Sequence, residues 1–437
     1  MEWLPILVII VTLLIALFFT GIPVAFAFMT LNFICLYIWV GGPDAWFMAV
    51  NSAFQILTGT FFLPVPSFIL MGEILFYTGA SEVVILSIDK WIGRVPGRLA
   101  LLSVAAGTLL AAMTGSSMGA TVMLGSVLVP EMKKHGYSSE MSIGACSAAG
   151  ALAPLIPPTI LGVIAASLVK VSVGNFLIAI IVPGVVLAGL FFFYILIRAR
   201  IQPHLAPPYA GKPPTFREKI SALFYILPTG IIIFFVLGLM FLGMAAPSEA
   251  AALGVVGTLI VCAIYRRLNW TGLKKAAIGT MKITVMLTMI CMGSITFSQL
   301  MAYTGSARGM AAWASSLAAS PWVLYLLMMI VILFLGCIMD GVSVMMISIP
   351  IFVPICQAIG FDMMWFTVVL LVGVEAGMIT PPFGLNLFAI KGVLPDSTMM
   401  DVYKSTFPYV VCCVICLVLL YIFPQLASWL PGLMFGG

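Results

Sequence analysis

The oxygen-bearing residues of this chain cluster at a few places inside otherwise apolar runs. The stretch "AAMTGSSMGA" (111–120) carries Thr114, Ser116 and Ser117, and "GCIMDG" (336–341) sets Asp340, the one carboxylate of its run, between Gly336 and Gly341. Two Pro-Pro steps follow, in "IPPTILGV" (156–163) and "TPPFGLNL" (380–387), 224 residues apart. A proline lacks the N–H and its ring clashes with the preceding turn, so each pair breaks a helix. A break frees carbonyls on one side and N–H groups on the other. Freed carbonyls can coordinate a cation, and a half-helix N-terminus attracts an anion.

Sodium is a hard cation that takes oxygen ligands. The first cluster offers Thr114, Ser117 and the carbonyls of Gly150, Ala153 and Pro154. The second offers Gly336, Asp340, Gly377, Thr380 and Phe383. At least two sodium ions are expected. Ser116, Ser117, Thr159, Gly341 and Asn386 are the candidates for holding a substrate. Each group has a plainer reading beside it. The first tip could be a close small-residue helix contact, and Asp340 a helix cap. Asn386 could bond freed backbone, and each Pro-Pro could be a simple kink. Glu375, within two turns of the second break, reads equally as a cation-region or a structural acid. Glu73 reads as interfacial.

The elements that must position these groups are membrane helices. The chain has 437 residues, 63% apolar and 8% charged, with a mean hydropathy of +1.23. So little charge cannot cover a soluble protein of this size. Apolar runs able to cross about 30 Å of hydrocarbon recur throughout, which predicts an all-α polytopic membrane protein. The first run, Leu4 to Phe19, has no basic flank and reads as a mature helix. Nine cysteines sit in apolar runs without metal-like pairing, and the two histidines lie in polar loops. No HExxH or nucleotide loop occurs, and only Glu73, Asp340 and Glu375 approach the core. An enzyme or a proton-pumping relay is therefore not expected, and neither is a nucleic-acid partner.

A shift of about 224 residues brings the chain onto itself. "YTGA" at 77–80 meets "YTGS" at 303–306, and "LVPEMKKHGY" at 128–137 meets "FVPICQAIGF" at 352–361. So many ordered landmarks predict an internal repeat: residues 1–200 and 222–425, joined by a linker at 201–221. Basic clusters at Lys90–Arg98, Lys133–Lys134, Arg198–Lys219, Arg266–Lys282 and Lys391–Lys404 mark the cytoplasmic side. Each copy then holds about five spans and one re-entrant hairpin, 99–133 and 321–357. The odd count makes the second copy inverted, as in secondary transporters. Residues 98–170 and 321–392 are expected to form a transport unit. Residues 1–97 and 222–320 are expected to form a scaffold, braced by amphipathic stretches Asp44–Gln55 and Trp270–Lys282. Movement of the transport unit past the scaffold, an elevator, keeps each hairpin beside its own helix partner.

At the tips and breaks the sequence resembles the large membrane subunit of tripartite ATP-independent periplasmic (TRAP) transporters. The likeness covers essentially the whole chain. It rests on "TGSSMGATVMLGSVLVPEM" (114–132), "GALAPLIPPT" (150–159), "GCIMDG" (336–341), "PIFVPI" (350–355) and, most specifically, "TPPFGLNLFAIKG" (380–392). The resemblance implies a sodium-driven elevator importer of small organic anions in the bacterial inner membrane. Its implied partners are a small four-helix membrane subunit and a periplasmic substrate-binding protein. Sodium sites are implied where each hairpin tip meets its broken helix. Ala153 and Thr159 stand where many relatives have Gly and Ser, and Ala120 stands where some sialic acid relatives carry an acid. A stand-alone sodium–dicarboxylate symporter shares the same plan and is the alternative.

Overall fold

A computed structural model describes residues 3–92, 95–114, 116–207, 215–316 and 320–434. Helices account for nearly all of it, and no strand occurs among the described residues. Lipid offers the backbone no hydrogen-bonding partner, so a chain this apolar must satisfy its N–H and C=O groups within helices. Seven helices among the described residues are long and apolar enough to cross a membrane. The count is eight if the bent pair Ser139–Leu155 and Ile160–Val169, which turns by 46°, is one span. The other apolar helices run 10–17 residues.

The order of helices repeats along the chain. The helix pair Arg98–Thr114 and Ser117–Lys134 matches Pro321–Ile338 and Gly341–Ala358. The broken pair Ser139–Ala151 and Ile160–Val169 matches Met363–Met378 and Leu385–Val393. Both Pro157–Pro158 and Pro381–Pro382 are cis.

The two copies also contact one another reciprocally. Trp3–Phe19 packs on Ser306–Ser316, as Phe216–Phe241 packs on Ala80–Asp89. Val24–Trp39 packs on Trp270–Tyr303, as Pro247–Ile264 packs on Pro64–Tyr77. Each helix of these pairs thus finds its partner in the other half of the chain.

One matched segment differs. In the first copy the amphipathic stretch forms its own helix, Gly42–Thr58, and the next helix begins at Pro64. In the second copy the amphipathic stretch Trp270–Lys282 is not a separate arm. It is the first third of one unbroken helix, Trp270–Tyr303, of 34 residues. The sequence supplies the reason: "TGTFFLPVP" (58–66) places a glycine and two prolines at the junction, while "KITVMLTM" (282–289) has neither. Of the linker, residues 208–214 lie outside the described residues.

Burial tracks the polar elements. The broken helix Met363–Met378 is buried from Trp365 through Met378, and Ser139–Ala151 is buried from Met141 through Ala151. By contrast, Phe216–Phe241 exposes Phe224, Ile231, Phe234 and Phe235. The helices just before the two breaks thus lie inside, while Pro321–Ile338, the first arm of the second hairpin, turns Ile330 and Phe334 outward.

Candidate functional site

Each hairpin turns at a capped helix start. Ser116 caps Ser117–Lys134, its Oγ accepting from the Gly119 N–H at 3.3 Å. Asp340, 224 residues on, caps Gly341–Ala358 and accepts from the N–H groups of Val342 at 3.1 Å and Ser343 at 3.2 Å. The Ser343 hydroxyl donates to its other oxygen. Asp340 is thus a helix cap, and it also lines the cavity described below. A carboxylate can fill both roles, because capping leaves lone pairs open on an acceptor with two oxygens.

Thr159 closes the first break in the same manner. It is buried and accepts from the Gly162 N–H at 3.3 Å, starting Ile160–Val169. Gly150, Ala153 and Pro154 are buried just before it. A Cβ at Gly150 would collide with the Thr121 side chain, so the broken helix lies directly against the second hairpin arm. Thr114 ends the first arm, and its side chain lies outside the described residues, as does Gly115.

The second break is fastened more tightly. Gly336 and Gly377 meet backbone to backbone. A Cβ on Gly377 would stand 2.7 Å from the Gly336 Cα, and one on Gly336 would stand 2.9 Å from the Gly377 Cα. Beside them the Cys337 thiol donates to the Thr380 carbonyl at 3.2 Å and accepts from the Phe383 N–H at 3.4 Å. The Thr380 hydroxyl donates to the Ala376 carbonyl at 2.6 Å, and the Tyr403 hydroxyl donates to the Pro382 carbonyl at 2.7 Å. The sequence reading gave Cys337 no role beyond that of a cysteine in an apolar run. Its position three residues before Asp340 was the available signal that it belongs to the hairpin tip.

A cavity of about 400 Å³ joins these parts. It is walled by Ser116, Ser117 and Gly119 from the first tip, by Asp340 and Gly341 from the second, and by Ile160 and Leu161 after the first break. Glu375 and Met378 close it from the second broken helix. Glu73 and Phe76, with Ile283, Met286 and Leu287, face it from Pro64–Tyr77 and Trp270–Tyr303. Glu73, read from sequence as interfacial, therefore looks into the cavity, packed against Gly279. No lysine, arginine or histidine lines the cavity among the described residues. The helices beginning at Ser117, Ile160 and Gly341 all start at its wall. Three N-terminal dipole ends supply the positive potential that basic side chains do not.

Asn386 is fully buried at the start of Leu385–Val393, and its Nδ2 donates to the Ser117 Oγ at 2.5 Å. This bond ties the first copy's hairpin to the second copy's broken helix. Of the residues expected to hold substrate, Ser116, Ser117 and Gly341 line the cavity. Thr159 and Asn386 lie behind its wall. Of the second-copy oxygen set, Gly336, Gly377, Thr380 and Phe383 come together at the Gly336–Gly377 contact and beside Cys337, while Asp340 stands at the hairpin tip. In the first copy the described members, Ser117, Gly150, Ala153 and Pro154, gather around Thr121 and the break.

Comparison with known proteins places this geometry. The sequence model described as "Tripartite ATP-independent periplasmic transporter, DctM component" matches residues 11–426. The C4-dicarboxylate TRAP transporter large permease protein DctM of Pseudomonas aeruginosa is 30% identical over 374 residues, covering 85% of this chain and 86% of that protein. The ectoine TRAP transporter large permease protein TeaC of Halomonas elongata is 28% identical over 430 residues, covering 98% and 99%. Among solved structures, the Alcanivorax borkumensis YdaH transporter superposes with a TM-score of 0.64 at 16% identity, over 89% of this chain and 90% of its own. That last likeness is one of fold.

Proposed function

Because the chain belongs to the DctM component family of tripartite ATP-independent periplasmic transporters, and so is a multi-pass transport subunit rather than an enzyme, we propose that it imports a small organic anion driven by sodium. The observation that carries this reading is the cavity where three helix N-termini and two capped hairpin tips converge, with no basic side chain lining it among the described residues. Helix starts stabilise an anion. The oxygen clusters beside them suit a hard monovalent cation, whose charge would further offset that of the anion.

The proposed setting is the bacterial inner membrane. A periplasmic binding protein delivers the substrate there, and a small membrane subunit enlarges the scaffold. The names of the relatives, each a large permease of a TRAP system, support these partners over a stand-alone symporter. Two relatives named for different substrates, a C4-dicarboxylate and ectoine, leave the particular organic acid open. We read the transport step as an elevator. Opening local gates at two hairpins would expose hairpin backbone to lipid, whereas rigid movement of the unit keeps it covered.

The test is uptake into proteoliposomes holding this chain with its small subunit and loaded binding protein. Replacing sodium by choline is expected to abolish uptake. Full uptake driven by a pH gradient alone, without sodium, would overturn the coupling ion.

A further inference from the structure

A second cavity, of about 790 Å³, opens further along the helix Trp270–Tyr303. The substrate cavity meets that helix at Ile283, Met286 and Leu287, and this one meets it from Ser294 to Ala302. Ser298 stands 11 residues beyond Leu287, which is about 16 Å of helix. The basic start of the helix, with Lys274 and Lys275, lies before the substrate cavity. In the orientation expected from charge, the second cavity is therefore toward the periplasm. The end of Ile160–Val169 and the later half of Gly341–Ala358 form its other walls. Charge sets the two cavities apart. Among the described residues, Glu73, Asp340 and Glu375 line the first with no basic side chain, whereas Lys170 lines the second with no carboxylate. Lys170 joins none of the ion pairs found among those residues.

Lys170 ends Ile160–Val169 in the left-handed conformation, with φ 64°. Glycine takes that position at least cost, because a Cβ there crowds the backbone. A lysine is held there at a cost in stability, and what it adds is a positive charge at the cavity wall. Two amides face the same space from other elements. Ser52 Oγ donates to the Gln299 Oε1 at 2.9 Å, which leaves the Gln299 Nε2 as a donor. Gln357 lines the cavity from the last turn of Gly341–Ala358. The hydroxyls of Ser294 and Ser298 are already spent on the carbonyls of Met346 and Ser294. We propose that this cavity is a receiving site for a small organic anion, held by Lys170 with Gln299 and Gln357 as neutral donors. The space is larger than such an anion, so the anion is held with part of its water, and one ammonium suffices to keep it. A positive site at the mouth raises the local concentration of anions, which the carboxylates of the substrate cavity cannot do. This inference rests on the anion-import reading above.

The probes are two small thiol reagents of opposite charge. One is 2-sulfonatoethyl methanethiosulfonate, itself a small organic anion, and the other is its trimethylammonium counterpart. They are applied to the full chain in nanodiscs of neutral lipid, with one added cysteine. Ala307→Cys places it in the cavity wall, and Ser320→Cys places it exposed at the base of the same hairpin, outside the cavity. The native cysteines are buried, and their reaction is the background measured on the unaltered chain. The sulfonate-to-ammonium rate ratio at Ala307→Cys is expected to exceed that at Ser320→Cys by about tenfold, since one nearby charge acts in opposite directions on the two reagents. Lys170→Gln is expected to bring the ratio down to the Ser320→Cys value, and Lys170→Arg to keep it. Lys170→Gly is expected to lose the ratio yet melt no lower than wild type, because glycine takes the left-handed position without a Cβ. A ratio unmoved by Lys170→Gln overturns the site. So does collapse of the ratio when phosphatidylglycerol is added to the nanodiscs, which would make a lipid headgroup the occupant. Neither result touches the import reading, which the sodium-replacement uptake assay decides by itself.

Discussion

The contact between Gly336 and Gly377 joins the hairpin arm to the broken helix at the second break, and Gly377→Ala tests it. The new Cβ would stand 2.7 Å from the Gly336 Cα and 3.1 Å from both the Gly336 carbonyl carbon and the Leu333 oxygen. Carbon atoms pack at about 3.5 Å or more, so the arm Pro321–Ile338 must withdraw by about 0.8 Å. No side-chain rotation can absorb this, because every atom met is backbone. The Cys337 thiol, at 3.2 Å and 3.4 Å from its partners across the break, would be pulled out of bonding range. Overpacking of this kind costs about 1–3 kcal/mol. If the strain is taken where the proposed ligands of Gly336, Asp340, Gly377 and Thr380 close on an ion, apparent sodium affinity falls about 5- to 150-fold. The assay is the sodium dependence of uptake in proteoliposomes, read with the melting temperature. Gly189→Ala is the control. It lies in Ile181–Ile201 with nothing within 4 Å of its added Cβ, and exchange of an unconstrained helical glycine for alanine stabilises by up to about 1 kcal/mol. A Gly377→Ala protein with wild-type sodium dependence and melting would refute the claim that this joint shapes the site.

Asp340→Asn keeps a good helix cap but removes the charge, so it is expected to fold normally and lose transport. Asp340→Ala is expected to lose transport and about 1 kcal/mol of stability as well. Equal melting of the two variants would argue against the cap. The proposed orientation is checked by cysteine labelling from the periplasm, which is expected to reach a cysteine at residue 361 and miss one at residue 136. The reverse pattern would sink the inverted repeat. The elevator is checked with cysteines at Ala307 and Val353, which face one cavity between Ser306–Ser316 and Gly341–Ala358. Crosslinking them is expected to stop uptake and reduction to restore it; full-rate uptake by a fully crosslinked sample would favour local gating.

The legible parts of this molecule were those written in punctuation. Two Pro-Pro steps, two polar tips and the 224-residue offset are sequence events, because proline and short polar runs have few places to go inside hydrocarbon. Family membership followed from the same segments. What stayed hidden was contact across the repeat. Nothing in the spacing of Ser117 and Asn386, 269 residues apart, says that one donates to the other. The cavity-facing side of Glu73 was hidden for a related reason: depth along its own helix could be guessed, but the cavity it faces is made by hairpin tips from elsewhere in the chain. The unbroken Trp270–Tyr303 helix was missed because attention to the lysines of its start drew a boundary at Lys282, where no breaker stands.

That helix has a physical reach of its own. At about 1.5 Å per residue, 34 residues extend about 51 Å, against a hydrocarbon layer of about 30 Å. The surplus cannot be shed at a hinge, because none exists within it, so the helix must lean or stand out into the headgroups. Its partner Pro64–Tyr77, of 14 residues, has the opposite problem and is too short to cross upright. One element overshoots the bilayer and the element packed against it falls short. The thickness of the surrounding lipid therefore becomes a mechanical input to this pair, tilting one and sinking the other. The composition of the host membrane would then bear on the shape of the frame against which the substrate cavity is closed.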